Sequence, residues 1–217
     1  MSVTGYVVPD DLEQGAVRLM QAALLGIAAY GVYSATPGMV FNGLLPLAIT
    51  LIPGYLREDR NVRVETGLTF LITAAVLVHA VGALGPYKQY GWYDQFAHGL
   101  SATVVALTGY VFVRAIDLAS DENRLPRRFV QVYVVLAVMA FGVVWEVMEY
   151  GTSVVAKQLG MSGVLIQFGW EDIVLDLAFD LVGGVLVALV GARYLSATPE
   201  DIAEEMDEEL EATVDGA

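Results

Sequence analysis

The strongest constraint on the fold is a series of six long apolar runs, because each is close to the length that crosses a lipid bilayer. They cover residues 16–34, 38–56, 66–84, 96–117, 129–152 and 173–195, to within a few residues. A helix needs roughly 20 apolar residues to span the hydrocarbon core. Hydrophobic residues make up 56% of the 217-residue chain, above the roughly 45–50% of a soluble domain. We predict an all-α, polytopic transmembrane helical bundle of about six spans, with the lipid bilayer as its surroundings.

The sequence divides into two regions, a transmembrane helical domain over 1–195 and an acidic cytoplasmic tail over 196–217. Pro37-Gly38, Gly85-Pro86 and two charged segments, 57–65 and 121–128, separate successive runs of the first region. Pro46 and Pro53 lie inside the second run and could break its helix. The tail carries nine acidic residues, and its stripe of Ile202, Met206 and Leu210 is thin. We therefore expect a solvated helix there rather than a docking helix.

Composition excludes several functions. The net charge of −14 argues against a nucleic-acid partner. The absence of cysteine rules out thiolate nucleophiles, disulfides and cysteine-ligated metals. Abundant acidic residues with little lysine resemble the acidic proteome of a salt-accumulating halophile. Nothing in the composition indicates an oligomeric state.

The distribution of basic residues predicts the orientation of the spans. Nine arginines fall at one set of helix ends, and Lys88 and Lys157 fall at the other. Because lysine and arginine are enriched in cytoplasmic loops, we predict a multi-pass protein of the cell membrane with both termini cytoplasmic. Trp92, Trp145 and Trp170 then lie at or near the outer interface, as in an aromatic belt.

Ionisable residues recur near the outer ends of the last three spans. The fourth span carries Asp94 and His98, the fifth Glu146 and Glu149, and the sixth Asp172, Asp176 and Asp180. Spacings of three or four residues place each group on one helix face. Charges in hydrocarbon are costly and usually face the bundle interior. We therefore predict that one inward-facing cluster forms a catalytic or metal site, with His98, Glu146, Glu149, Asp176 and Asp180 as its members.

Smaller polar residues extend these faces. Gly142 and Ser153 continue the face of the two glutamates, and Ser101 and Thr108 continue that of His98. We expect these stripes to point inward, because small residues let helices approach closely. His79 is a further contributor or, more simply, a polar contact between helices. For Asp94, Asp172 and Glu171, polarity at a helix start is an equally good interpretation.

The motifs that carry these residues resemble a known family. YDQFAHG at 93–99, EVMEY at 146–150 and DIVLDLAFDLVGG at 172–184 resemble the YjdF-like family of uncharacterised integral membrane proteins. In that resemblance, Tyr93, Asp94 and His98 match a Tyr-Asp-x-x-x-His motif, and the two glutamates match Glu-x-x-Glu. Asp176 and Asp180 match Asp-x-x-x-Asp. A looser likeness to VanZ-like proteins covers the same arrangement. Neither resemblance implies a particular reaction.

Three hypotheses for the cluster remain open. One is a metal-dependent or acid–base enzyme that acts on a lipid-like substrate near the outer leaflet, since one histidine and several carboxylates suit a divalent metal ion such as Mg, Mn, Fe or Zn. The second is a proton- or cation-coupled transporter or binding protein, because such side chains form proton relays. The third is a structural membrane protein in which the cluster is polar glue between helices. The ligand in the first two is lipid-like or another small molecule.

Overall fold

The structure, a computed structural model, describes residues 10–59, 64–119, 125–160, 165, 167–190, 199 and 203. In this part of the chain the regular structure is entirely helical. The helices are α1 (Asp10–Tyr33), α2 (Pro37–Asp59), α3 (Thr66–Gly82), α4 (Pro86–Gln89), α5 (Tyr93–Leu118), α6 (Arg127–Gln158) and α7 (Trp170–Val190).

Five of these helices, α1, α2, α5, α6 and α7, are long and apolar enough to cross a membrane. The remaining predicted span is α3, an apolar helix of 17 residues. At 1.5 Å per residue it is about 25 Å long, slightly shorter than a typical hydrocarbon core. The predicted polytopic helical bundle is thus confirmed, with five long helices and one shorter one.

Several helices run beyond the apolar segments that predict them. α1 begins at Asp10, α6 ends at Gln158 and α7 begins at Trp170, because polar residues at a membrane interface can continue a helix whose apolar part lies in lipid. α2 is continuous through Pro46 and Pro53. The break that these prolines could have caused is absent, in keeping with the tolerance of proline in transmembrane helices.

The bundle consists of two groups of three helices, one of which includes the shorter helix α3. α1 packs against α2 and α3, and α7 packs against α5 and α6, while contacts between α3 and α5 join the groups. α2 and α6 do not pack against each other. A cleft therefore separates α2 from α6, with α3 and α5 at its back.

In the group formed by α5, α6 and α7, the backbones of α5 and α7 approach each other closely at Gly183. A Cβ atom on Gly183 would stand 2.8 Å from the carbonyl oxygen of Gly99 and 2.9 Å from Ala102 Cβ. Only glycine fits this position without displacing a backbone, as in other small-residue helix contacts. This contact fixes the depth at which α7 presents its aspartates to α5.

Two predictions concern residues outside the described part of the chain. The acidic tail is described only at Pro199 and Ala203. Residues 60–63, in the charged connection between α2 and α3, also lie outside the described part. The division into a membrane domain and a cytoplasmic tail stays a prediction.

Candidate functional site

A cluster of buried ionisable side chains lies where α5, α6 and α7 meet. Each helix contributes residues at helical spacing, so the same turns that pack the helices bring the side chains together. We call these residues the acid cluster: Asp94 and His98 from α5, Glu146 and Glu149 from α6, and Asp176 and Asp180 from α7. All six are buried, and Asp176 is only 1% exposed.

The imidazole of His98 is the centre of the acid cluster. Its Nε2 faces three carboxylate oxygens, Asp94 Oδ1 at 3.8 Å, Glu146 Oε1 at 3.7 Å and Asp176 Oδ2 at 3.9 Å. Its Nδ1 faces Asp180 Oδ1 at 3.4 Å. Among the described residues, no lysine or arginine lies within 4.0 Å of these carboxylates. His98 is therefore their sole basic neighbour in this part of the chain.

The atoms around Nε2 are both buried and without hydrogen-bond partners. His98 Nε2, Glu146 Oε1 and Asp176 Oδ2 are inaccessible and make no hydrogen bond within the protein. The other oxygen of Asp176 accepts a 3.5 Å hydrogen bond from Gln95 Nε2. A buried polar atom left unpaired costs about 1–3 kcal/mol. Three such atoms facing one point indicate that a further species completes their interactions.

Three members of the acid cluster, Asp94, His98 and Asp176, lie close enough together to hold one divalent cation, and Glu146 is not part of that set. Suitable ligand atoms of Asp94, His98 and Asp176 all lie within 4.8 Å of one another. Two ligands on one ion lie about 3–4.4 Å apart, because each bond is about 2.0–2.2 Å. The distances from Nε2 to its three carboxylate neighbours fall in that range. Imidazole with carboxylates is a donor set for Zn, Fe or Mn.

Asp180 occupies the opposite side of the imidazole. A carboxylate beside the second ring nitrogen of a metal-ligating histidine fixes the orientation of the ring, and Asp180 is placed for that role. Gly142 on α6 provides the room, because a Cβ atom there would collide with Asp180 Oδ2. Gly142 is buried and lies one turn before Glu146.

An apolar cavity of about 220 Å³ begins beside the acid cluster. Its walls come from α2, α3, α5 and α6, including Leu45, Ile49, Val76 and Val105. Its polar side is formed by the residues His79, Tyr87, His98, Trp145, Glu149 and Asp180. The cavity follows the cleft between α2 and α6, so it joins a charged centre to an apolar groove.

An aromatic group adjoins the cavity. Tyr87 Oη lies 2.5 Å from His79 Nδ1, and the His79 ring lies 5.7 Å from the His98 ring and 5.8 Å from that of Trp145. Burial raises the pKa of the Tyr87 phenol, which therefore keeps its proton. Trp145 Nε1 is buried without a hydrogen-bond partner. Of the three tryptophans, Trp145 is half-buried and lines the cavity, whereas Trp92 and Trp170 are exposed.

The structure brings together the five side chains that the sequence selected, and it adds others. Asp94 joins them, whereas Asp172 accepts a hydrogen bond from the Phe168 amide at the start of α7 and Glu171 is exposed. The expectation that Thr108 points inward is wrong, because this residue is exposed and its hydroxyl bonds to Val104 O. Ser153 likewise bonds to Tyr150 O within its own helix.

Sequence patterns provide little reason to select Gln95, Tyr87 or Trp145 as site residues. Gln95 follows Asp94 directly and has no charge. Tyr87 belongs to the short helix α4, and its contact with His79 depends on how the chain turns after Gly82. A tryptophan near a membrane interface is expected whether or not it lines a cavity. No rule of residue spacing would identify these three side chains as site residues.

The apolar helices and the bundle they form define a polytopic integral membrane protein. Within that class, the chain belongs to the family DUF2238, described as predicted membrane protein, which matches residues 16–197. The resemblance to the YjdF-like family is consistent with this family and is thereby confirmed. No curated protein and no solved structure matches the chain.

Proposed function

We propose that this protein is a divalent-metal-dependent membrane enzyme that acts on a lipid-like substrate. The observation that carries the proposal is the set of three buried atoms without hydrogen-bond partners, in which Glu146 Oε1 and Asp176 Oδ2 lie 3.7 Å and 3.9 Å from His98 Nε2. Asp94 supplies a further oxygen ligand. A bound divalent ion lowers the pKa of its water ligand and polarises substrate oxygens.

The neighbouring cavity supports an amphiphilic substrate. Its walls are apolar, and its polar side carries Glu149 and Asp180 next to the imidazole. Glu149 is buried but makes no ion pair with His98 among the described residues. A carboxylate in this place can take a proton from a nucleophile or give one to a leaving group. In this proposal Asp94, His98, Glu146 and Asp176 hold the ion, Asp180 orients His98 and Glu149 is the acid–base group.

The orientation predicted from arginine and lysine places this chemistry near the outer leaflet. In the bundle the acid cluster lies toward the end that carries the α1–α2 turn and α4. With both termini cytoplasmic, that end faces outward. The substrate would enter through the cleft between α2 and α6 without leaving the bilayer.

Metal content tests the first part of the proposal. The full chain, purified in detergent without chelator, should retain a stoichiometric amount of one divalent metal by elemental analysis. Glu146→Gln and Asp176→Asn should reduce metal affinity by at least the roughly 10–100-fold seen when supporting groups are removed. Glu171→Gln is the matched control, because Glu171 is an exposed carboxylate on α7. Metal-free protein, with all variants alike, would favour polar glue and overturn the proposal.

Lipid chemistry tests the second part. Lipid extracts of cells that produce the wild-type chain should differ in composition from extracts of cells that produce Asp176→Asn, with the Glu171→Gln extract matching wild type. An enzyme changes the chemical species present, whereas a transporter changes only their distribution. Metal binding with unchanged lipids, together with cation flux in liposomes, would replace the enzyme by a cation-coupled transporter.

A further inference from the structure

We infer that the cavity between α2 and α6 binds an amphiphile with a protonated amine head, whose ammonium group lies between Glu149 and Asp180. The inference rests on the proposed function and names its substrate class. Most of the cavity lining is apolar, and the cavity follows the cleft between α2 and α6, so it suits a ligand with an apolar chain. The charge of the ligand's head group follows from the charge of the acid cluster.

The charge of the acid cluster favours a cation. It contains five carboxylates: Asp94, Glu146, Glu149, Asp176 and Asp180. One divalent ion held by a neutral His98 would supply two positive charges, fewer than the five carboxylates. Within the described chain, no lysine or arginine pairs with them. An anionic head would meet uncompensated like charge, whereas an ammonium group would reduce the imbalance.

The geometry separates the metal from the head group. Nε2 of His98 faces Asp94, Glu146 and Asp176, and none of these three lines the cavity. Glu149 and Asp180 do line it, together with His98. The carboxylates that a ligand in the cavity meets are thus different from those that surround the proposed ion.

Aromatic side chains complete the head-group region. Tyr87 and Trp145 line the cavity beside Glu149, and aromatic rings near carboxylates are common in sites that bind ammonium groups. The substrate class that these groups support is an amine-headed amphiphile.

The three tryptophans provide a direct assay. Trp92 is 62% exposed and Trp170 is 73% exposed, so Trp92→Phe with Trp170→Phe leaves Trp145 as the sole tryptophan at little structural cost. Its fluorescence is measured in a neutral maltoside detergent while dodecylamine, dodecanol or dodecyl phosphate is added. The three probes share one chain and differ in head charge. Trp145→Phe with Trp170→Phe keeps Trp92 and reports non-specific partition into the micelle.

Dodecylamine should give a saturable change in Trp145 fluorescence at concentrations at least 10-fold below those of the other two probes, while Trp92 shows no saturation. Glu149→Gln should weaken the amine by roughly 30-fold or more, as expected when one partner of a buried charge pair is removed. Glu171→Gln should leave binding unchanged. Equal binding of all three probes, or tighter binding of the phosphate, would overturn the inference.

Metal analysis of the same preparations separates this inference from the proposed function. Stoichiometric metal without amine selectivity would leave the metal-dependent enzyme standing and remove the amine-headed substrate. Amine selectivity in protein that contains no metal would contradict the proposal of a metal-dependent enzyme. It would also contradict the claim that the amine is a substrate of that enzyme. A stoichiometric metal together with amine selectivity that is lost in Glu149→Gln would support both the proposed function and the amine-headed substrate.

Discussion

At Glu146, a carboxylate is kept in an apolar helix at a place where isolated charge costs several kcal/mol. The side chain is 4% exposed, and Oε1 has no hydrogen-bond partner. Its basic neighbour is His98, which three other carboxylates share. Under the proposed function, a bound cation compensates this concentration of acidic groups, which would account for the retained glutamate.

Metal removal should therefore destabilise the wild-type protein. A ligand that binds only the folded state stabilises it by about 2.7 kcal/mol when present at 100 times its dissociation constant. Chelation should lower the unfolding temperature of wild type in detergent, and readdition of metal should restore it. Glu146→Gln should respond much less to both treatments, and without metal it should be at least as stable as wild type, because one like charge is gone. An equal chelator effect on wild type and Glu146→Gln would contradict this expectation.

Gly142 tests whether the position of Asp180 matters. Gly142→Ala places a methyl group against the Asp180 carboxylate, and overpacking of this kind costs about 1–3 kcal/mol. We expect lower stability together with weaker metal binding, measured by thermal unfolding and metal titration. Gly151→Ala on the same helix is the control, because nothing lies within 4 Å of its added Cβ. It should be neutral or stabilising, since alanine favours a helix by up to about 1 kcal/mol. Unchanged metal affinity in Gly142→Ala would separate Asp180 from the ion.

Most members of the acid cluster can be predicted from the sequence, because their spacing places them on one face of a helix. The spacings of Glu146 with Glu149 and of Asp176 with Asp180 place each pair on one side of its helix, and burial of both pairs follows from the cost of charge in lipid. The prediction of an inward face fails for Thr108, because its hydroxyl donates a hydrogen bond to Val104 O in its own helix. A hydroxyl can satisfy itself in that way and face lipid, whereas a carboxylate cannot.

The boundaries of the elements are less predictable. Hydropathy reports the apolar part of a helix, so it misses the polar turns that extend α1 to Asp10 and α6 to Gln158. It also gives no information on which helices are neighbours. The cleft between α2 and α6, and hence the cavity, results from packing between distant segments that no local pattern records. Trp145 and Tyr87 belong to the cavity for that reason.

The α5–α7 contact can be tested at the scale of the element. Gly183→Ala would press a Cβ atom against Gly99 O and Ala102 Cβ, separating the two helices and moving Asp176 away from His98. We expect a loss of about 1–3 kcal/mol in stability, measured by unfolding in detergent, and weaker metal binding. Gly99→Ala is the matched control on the facing helix, because its nearest contacts, with Phe179, are 3.8 and 3.9 Å. Equal stability of the two variants would show that the close approach is not required.

For the whole molecule, the two groups of helices suggest a division of roles. α5, α6 and α7 supply the acid cluster, while α2 and α3 supply most of the apolar wall opposite it. α3 joins the groups through α5. A change in the angle between the groups would widen or narrow the cleft without disturbing the proposed metal centre. Under the proposed function, we therefore expect substitutions on α2 to affect substrate entry and substitutions on α7 to affect metal binding.

The side of the membrane that the acid cluster faces depends on the topology. Because the chain has no cysteine, single cysteines can be introduced without background. Gln89→Cys lies in α4, at the end of the bundle near the cluster, and Gln89 is exposed. Asn61→Cys and Glu205→Cys fall in sequence regions predicted to be cytoplasmic. An impermeant maleimide should label position 89 on intact cells and the other two only after permeabilisation. Labelling of 61 or 205 from outside, with 89 protected, would invert the protein and move the proposed chemistry to the cytoplasmic leaflet, leaving the metal centre itself unaffected.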